Sequence, residues 1–253
     1  MLKTFFQLFC AAAALLIACG CSSFSETLSE SDLTVLELEE KMFQAADPGN
    51  RYSNAQSYIM RQQVETEKFL ELPEKRMIET RFLYPDKLKI TTFNDNVPES
   101  GLIITGTSAW AVDYTNRRIR PIAEKDIAPL VVMTKINDPR SRYHEIFEEV
   151  RIDQVEADGE TFYRLTCLNP GGNPIYIYVD CDTYLVRRLR SKFKTSYGTV
   201  ELDGKMKSYS LYEGIQIANE SESIQDGLRQ NIRVIDYQLN APIRAEEFAP
   251  PIL

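Results

Sequence analysis

The strongest constraint on this chain is the succession, from Tyr52 onward, of short stretches rich in Tyr, Phe, Ile, Val and Thr, each closed by Gly, Pro, Asn or Asp. β-Branched and aromatic side chains fit a pleated, half-buried surface, and turn residues at short intervals favour antiparallel strands over long helices. Five strands are expected first, over 58–64, 77–84, 87–93, 102–104 and 109–114. Six more follow over 150–155, 161–168, 175–179, 184–193, 199–212 and 231–239. Two intervals carry helical spacing instead. Thr34 and Glu37 are placed as a capping box, and Val35, Leu38 and Met42 recur at helical intervals until Asp47-Pro48-Gly49 stops the run. Between 124 and 149, Ile127, Leu130, Val131 and Met133 form one apolar cluster and Tyr143, Ile146 and Phe147 another, separated by Asn137-Asp138-Pro139. The expected fold class is mainly β (α+β), a large curved antiparallel sheet of about eleven strands whose apolar concave face is covered by short helices.

The N-terminus reads differently. Lys3 supplies a positive start and residues 5–18 an apolar stretch of 14 residues, the length of a signal segment and short for a bilayer span. The junction Leu16-Ile17-Ala18-Cys19 resembles the bacterial lipobox, in which a small residue precedes a cysteine that is acylated and becomes the new N-terminus. Cys19 is the expected acceptor and Cys21 the second choice. The expected organisation is a signal peptide over 1–18, a flexible Ser-rich tether over 19–31 and one domain over 32–253. A multiply acylated cysteine, at about 0.8 kcal/mol per buried methylene, would hold that domain on a membrane.

Composition narrows the function classes. The net charge of −8 offers nothing to a phosphate backbone, so nucleic acid is not an expected partner. The densest basic run, Arg187, Arg188, Arg190, Lys192 and Lys194, reads as a solvated strand face, with anionic headgroups as the alternative. Cys167 and Cys181 flank a turn over 169–174 that would pair Cys167 with about Tyr176. Cys181 then lies too far along the strand for a bridge, and two free, buried thiols are expected. With one His and no paired cysteine spacing, neither a metal nor a cofactor is expected. His144 is flanked by charges with no nucleophile motif nearby, and the carboxylates Glu37, Glu39 and Glu40 read as a solvated helix face, so no enzyme is expected.

Five pieces in order along the chain carry a family resemblance over roughly 33–251. They are Tyr84-Pro85-Asp86-Lys87-Leu88-Lys89-Ile90; residues 107–114 around Trp110; Ile127-Ala128-Pro129-Leu130; Val179-Asp180-Cys181-Asp182-Thr183 with Arg187; and Asn240-Ala241-Pro242-Ile243 through Phe248-Ala249-Pro250-Pro251. Together they resemble the LolA/LolB-like superfamily of lipoprotein carriers and related envelope lipoproteins. The resemblance implies an unclosed β-barrel lidded by helices, with a hydrophobic ligand cavity lined by Leu88, Ile90, Ile104, Trp110, Ile127, Leu130, Val131 and Met133. It also implies a periplasm-facing monomer anchored in the outer membrane, since Gly20 or Ser22 rather than Asp follows the acylated cysteine. Lipid or lipoprotein acyl chains would be the ligand. A sensor or scaffold that binds an envelope protein partner, as RseB-type regulators do, is the alternative. Tyr84 stands where lipoprotein carriers place an Arg.

Overall fold

The computed structural model describes residues 26–67, 73–136, 142–157, 159–168, 174–195, 198–225 and 228–252. Cys19 and Cys21 lie outside them. The first half builds β1 (Thr27–Ser29), α1 (Val35–Ala46), β2 (Ser57–Glu67), β3 (Glu74–Leu83), β4 (Lys87–Asn94), β5 (Val97–Thr105), β6 (Ser108–Asp113), β7 (Arg118–Pro121) and α2 (Glu124–Ile136). The second half builds α3 (Tyr143–Ile146), β8 (Glu149–Ala157), β9 (Glu160–Leu168), β10 (Pro174–Asp180), β11 (Val186–Thr195), β12 (Gly198–Tyr212), β13 (Ile215–Gln225) and β14 (Leu228–Leu239). All fourteen strands form one antiparallel sheet in the order β1-β8-β9-β10-β11-β12-β13-β14-β2-β3-β4-β5-β6-β7, which does not close into a barrel.

The sheet has fourteen strands where about eleven were expected, and each extra strand has a reason to be missed. β13, Ile-Gln-Ile-Ala-Asn-Glu-Ser-Glu-Ser-Ile-Gln, is too polar to read as a strand. It is nonetheless held between β12 and β14 by cross-strand pairs, Lys207 to Glu222 at 2.6 Å and Arg233 to Glu220 at 2.9 Å. The β12–β13 hairpin turns on Glu213 and Gly214, both with positive φ, a conformation for which Glu gives little signal. β7, Arg-Ile-Arg-Pro, is a charged edge strand. β1 falls inside the stretch 19–31 expected to be a flexible tether; from Glu26 onward that expectation is corrected, because Thr27–Ser29 pairs with β8. Three mostly polar residues carry no alternation to read, and their partner is more than a hundred positions away.

Alternation within strands assigns the two faces. On the inner face one core gathers Tyr52, Tyr58, Val64, Ile78, Phe82, Leu88, Ile90, Leu102, Ile104 and Ile232 under Ile127 and Leu130 of α2. A second gathers Leu165, Cys167, Ile175, Ile177, Val179 and Leu189 under Leu38 and Met42 of α1 and Tyr143 and Phe147 beside them. Thr34 and Glu37 do form the capping box that starts α1. Cys167 pairs with Ile175, one position from the expected Tyr176, and both thiols are free, Cys167 buried and Cys181 partly so.

The outer face is polar and paired. Arg188 makes two bonds to Asp203 (2.7 and 2.6 Å), Lys192 pairs with Glu201, and Arg190 reaches Glu26, so the basic run of β11 is largely neutralised by its neighbours. At the other end of the sheet, Phe248 in a 3-10 turn (Ala245–Phe248) packs on Ile103 and Val112. Glu247 holds that turn by accepting from Arg81 at 2.6 Å, while Arg81 also donates to Glu79 at 2.7 Å.

Both carboxyls are held below the usual range. For Glu247 the Arg244 backbone N–H is the main cause, helped by Arg81; for Glu79 burial pushes upward but the Arg81 and Arg61 bonds outweigh it. A carboxyl depressed in the folded state contributes stability above its unfolded pKa of about 4.3 and loses it as pH falls through the folded value. Urea unfolding should therefore show stability falling between about pH 5 and pH 3. Glu247→Gln should cost about 1 kcal/mol at neutral pH and flatten part of that slope; an unchanged slope would show that the C-terminal turn is not held by this pair.

Candidate functional site

Between the two inner cores lies a cavity of about 350 Å³, partly open to solvent. It is a seam. Its walls take Tyr52, Tyr58, Leu88, Ile90, Ile232 and Tyr237 from the first core and Met42, Ile136, Tyr143, Ile177 and Leu189 from the second. The roof is α1 through Glu39, Met42, Phe43 and Ala46, the end of α2 through Thr134 and Ile136, and Arg142 with Tyr143. Met60, Met206, Ile217 and Ser221 complete the sheet side. The volume falls within the roughly 300–1,000 Å³ usual for small-molecule pockets, and the lining is dominated by apolar and aromatic side chains.

One wall is a tyrosine cluster. Tyr58 stacks between Phe82 and Tyr237, with ring centroids 5.4 and 5.7 Å away. The Tyr237 hydroxyl bonds that of Tyr52, whose backbone N–H is held by Asp47 at 2.7 Å. Burial, with Tyr52 next, drives the Tyr237 phenol far above its ordinary range, so this wall is uncharged at any physiological pH.

The roof carries the charges. Glu39 is not on a solvated face: it is 4% exposed. Its carboxylate accepts the His144 backbone N–H at 3.0 Å and faces the His144 ring Nδ1 at 2.5 Å. Arg142 donates to the Glu39 carbonyl (3.2 Å) and to Glu40 (3.0 Å), and its guanidinium lies over the Phe43 ring. A buried carboxylate must be satisfied, which His144 does, and Arg142 adds a second tie between α1 and the start of α3 through the Glu39 carbonyl and the Glu40 carboxylate.

The expected lining residues divide. Leu88 and Ile90 line the cavity. Ile104, Ile127 and Leu130 are buried in the first core and Val131 packs against it, beside the cavity rather than in its wall. Trp110 faces the other way, packing on the outer face with the Ile103, Val112 and Phe248 cluster. The Met133 side chain lies outside the described residues. Sequence reasoning missed the tyrosines, Glu39, and Met206, Ile217 and Ile232. For β12 and β14 period-two alternation was available; for Glu39, Leu38 beside it marks that side of α1 as buried.

No protein-family model and no curated protein matches the sequence. Solved structures do match the fold. A LolA superfamily protein from Nitrosomonas europaea is 10% identical, with 86% of this chain and 98% of that one covered at a TM-score of 0.58. A DUF1329 family protein from Desulfovibrio piger is 12% identical, with 85% and 96% covered at 0.59. A domain of Vibrio parahaemolyticus titled as outer membrane lipoprotein-sorting is 13% identical, with 85% and 95% covered at 0.56. The likeness is one of fold: this chain shares with these structures the overall fold that it builds as an open antiparallel sheet with a helical cover.

The roof contact makes a prediction. His144→Ala should destabilise the chain by about 1–3 kcal/mol by stripping a partner from buried Glu39. The double variant with Glu39→Leu should depart from additivity by about 0.5–3 kcal/mol in urea unfolding. Strict additivity would mean that the two side chains do not act together.

Proposed function

We propose that this chain is an envelope lipoprotein, acylated at Cys19 or Cys21, whose cavity takes up the acyl chains of lipid or of acylated protein. The cavity itself carries the reading: an apolar volume of about 350 Å³ between a curved sheet and a thin helical roof, with an uncharged tyrosine wall. Such a site binds by area and shape, at about 0.8 kcal/mol per buried methylene, and shows little directional specificity. The lipobox-like junction supports anchoring in the outer membrane, facing the periplasm, as does the Vibrio domain titled as lipoprotein-sorting. Lipoprotein sorting or lipid transfer is the role in which both features are used, and no catalytic step is assigned.

Native mass spectrometry with lipid extraction on the envelope-expressed chain tests this. Acyl species should co-purify, be lost on Met60→Glu or Ile217→Glu, which place a charge in the wall, and persist on Leu211→Glu, whose side chain is exposed. A clean apo mass with no uptake of added lipid would sink the acyl reading and favour a scaffold that binds a protein partner.

A further inference from the structure

The first described residue, Glu26, is held firmly on the domain. Glu26 is clamped on the outer face by three donors: Arg164 at 2.5 Å, the Tyr178 hydroxyl at 2.6 Å and Arg190 at 3.3 Å. Burial and the neighbouring Glu26 push the Tyr178 phenol up to about 12, so it remains a neutral donor. The chain then runs through β1 along the sheet edge, passes Asp32, which accepts from Tyr163 at 3.0 Å, and enters α1. From Glu26 onward this segment is a strap fixed to the domain at both ends.

Seven residue steps from Cys19 to Glu26 reach at most about 25 Å, and five from Cys21 about 18 Å. A domain of this size has a radius of gyration of about 17 Å, hence a width of about 45 Å. An anchor that reaches barely half that width cannot let the domain turn its far side to the bilayer. Two large apolar side chains of the strap are left in solvent, Leu28 at 54% and Leu36 at 61% exposed.

We propose that the β1 edge and the first turn of α1 form a membrane-contact surface, with Leu28 and Leu36 entering the headgroup boundary. This rests on the acyl anchoring proposed above. The exposed carboxylates beside the strap, Glu30, Asp32, Glu37 and Glu40, oppose an anionic surface, so the partner is a zwitterionic bilayer. The contact also has a functional consequence. Leu36 and cavity-lining Phe43 lie seven residues apart on one helix, about 10 Å along its axis, so contact at Leu36 brings the roof of the cavity to within about that distance of the bilayer surface.

The single native tryptophan, Trp110, lies on β6 at the opposite end of the sheet order and serves as the internal control. The acylated full chain is reconstituted into phosphatidylcholine vesicles with brominated acyl chains, and the intact mass of the bound protein is recorded. Leu28→Trp and Leu36→Trp, each with Trp110→Phe, should lose about half their emission, as befits side chains at the headgroup boundary, while native Trp110 should lose almost none. A Gly/Ser insertion of about twenty residues after Ser23 should relieve the quenching, since it roughly doubles the reach. Acylated protein with equal quenching at all three positions overturns the orientation and leaves the cavity reading standing. A mass without acyl chains overturns the anchor and the orientation together.

Discussion

An antiparallel sheet with one apolar face must cover it, and this sheet is large while its cover is small. Fourteen strands curve around an inner face that, among the described residues, is protected by three α-helices of twelve, thirteen and four residues and by a 3-10 turn at Tyr52–Asn54. The two edges of the sheet, β1 and β7, do not pair with one another, and a sheet of this many strands is too wide for its own side chains to fill the space it encloses. The helices therefore divide the work. α2 covers the first core and reaches the second through Ile136, α1 with α3 covers the second, and the two cores fail to merge beneath the place where these helices meet. The cavity is the remainder of that mismatch, so its apolar lining follows from the same alternation that builds the core.

The roof is held by polar contacts rather than by area alone. Glu39 brings a carboxylate into the apolar interior, which is costly unless paired, and the pairing recruits His144 while Arg142 spans Glu39 and Glu40. These bonds fix the angle of α1 to the strand that follows α3. The opposite, outer face is exposed to water and solves a different problem: its arginines and lysines meet carboxylates one strand away. That keeps the sheet in water without a second layer there, while the C-terminal turn covers the apolar patch of the outer face around Ile103 and Val112. Its exposed edges are three and four residues long, the second ending in Pro121, which blunts their capacity to recruit further strands.

Cavity and strap share α1. The residues that cap its start lie on the strap, and those that line the cavity, Glu39 to Ala46, lie about one to three turns later. Any displacement of α1 that widens the cavity must either strain the Glu26 and Asp32 contacts or move the strap with it. Shared folds host unrelated functions, so the functional weight falls on this local arrangement rather than on the likeness to other open sheets.

The sequence alone was enough for the β architecture, the capping box of α1, the helical interval near the middle of the chain, and the free cysteines, because each depends on neighbours within a few residues. Alternation on one strand made Leu88 and Ile90 legible as inner-face residues, while their place at a cavity was implied only by the family resemblance. What failed was everything set by a distant partner. β13 is a strand because Lys207 and Arg233 neutralise its glutamates, and β1 is one because β8 offers an edge. Trp110 packs on the outer face because the register of β6 against β5 pairs it with Ile103, and a shift of one residue would have turned it inward. Glu39 is buried because α3 covers it. Local pattern determines which residues can be strand, helix or core; which face they take, and where packing falls short enough to leave a cavity, is decided only when elements far apart in the chain compete for the same apolar surface.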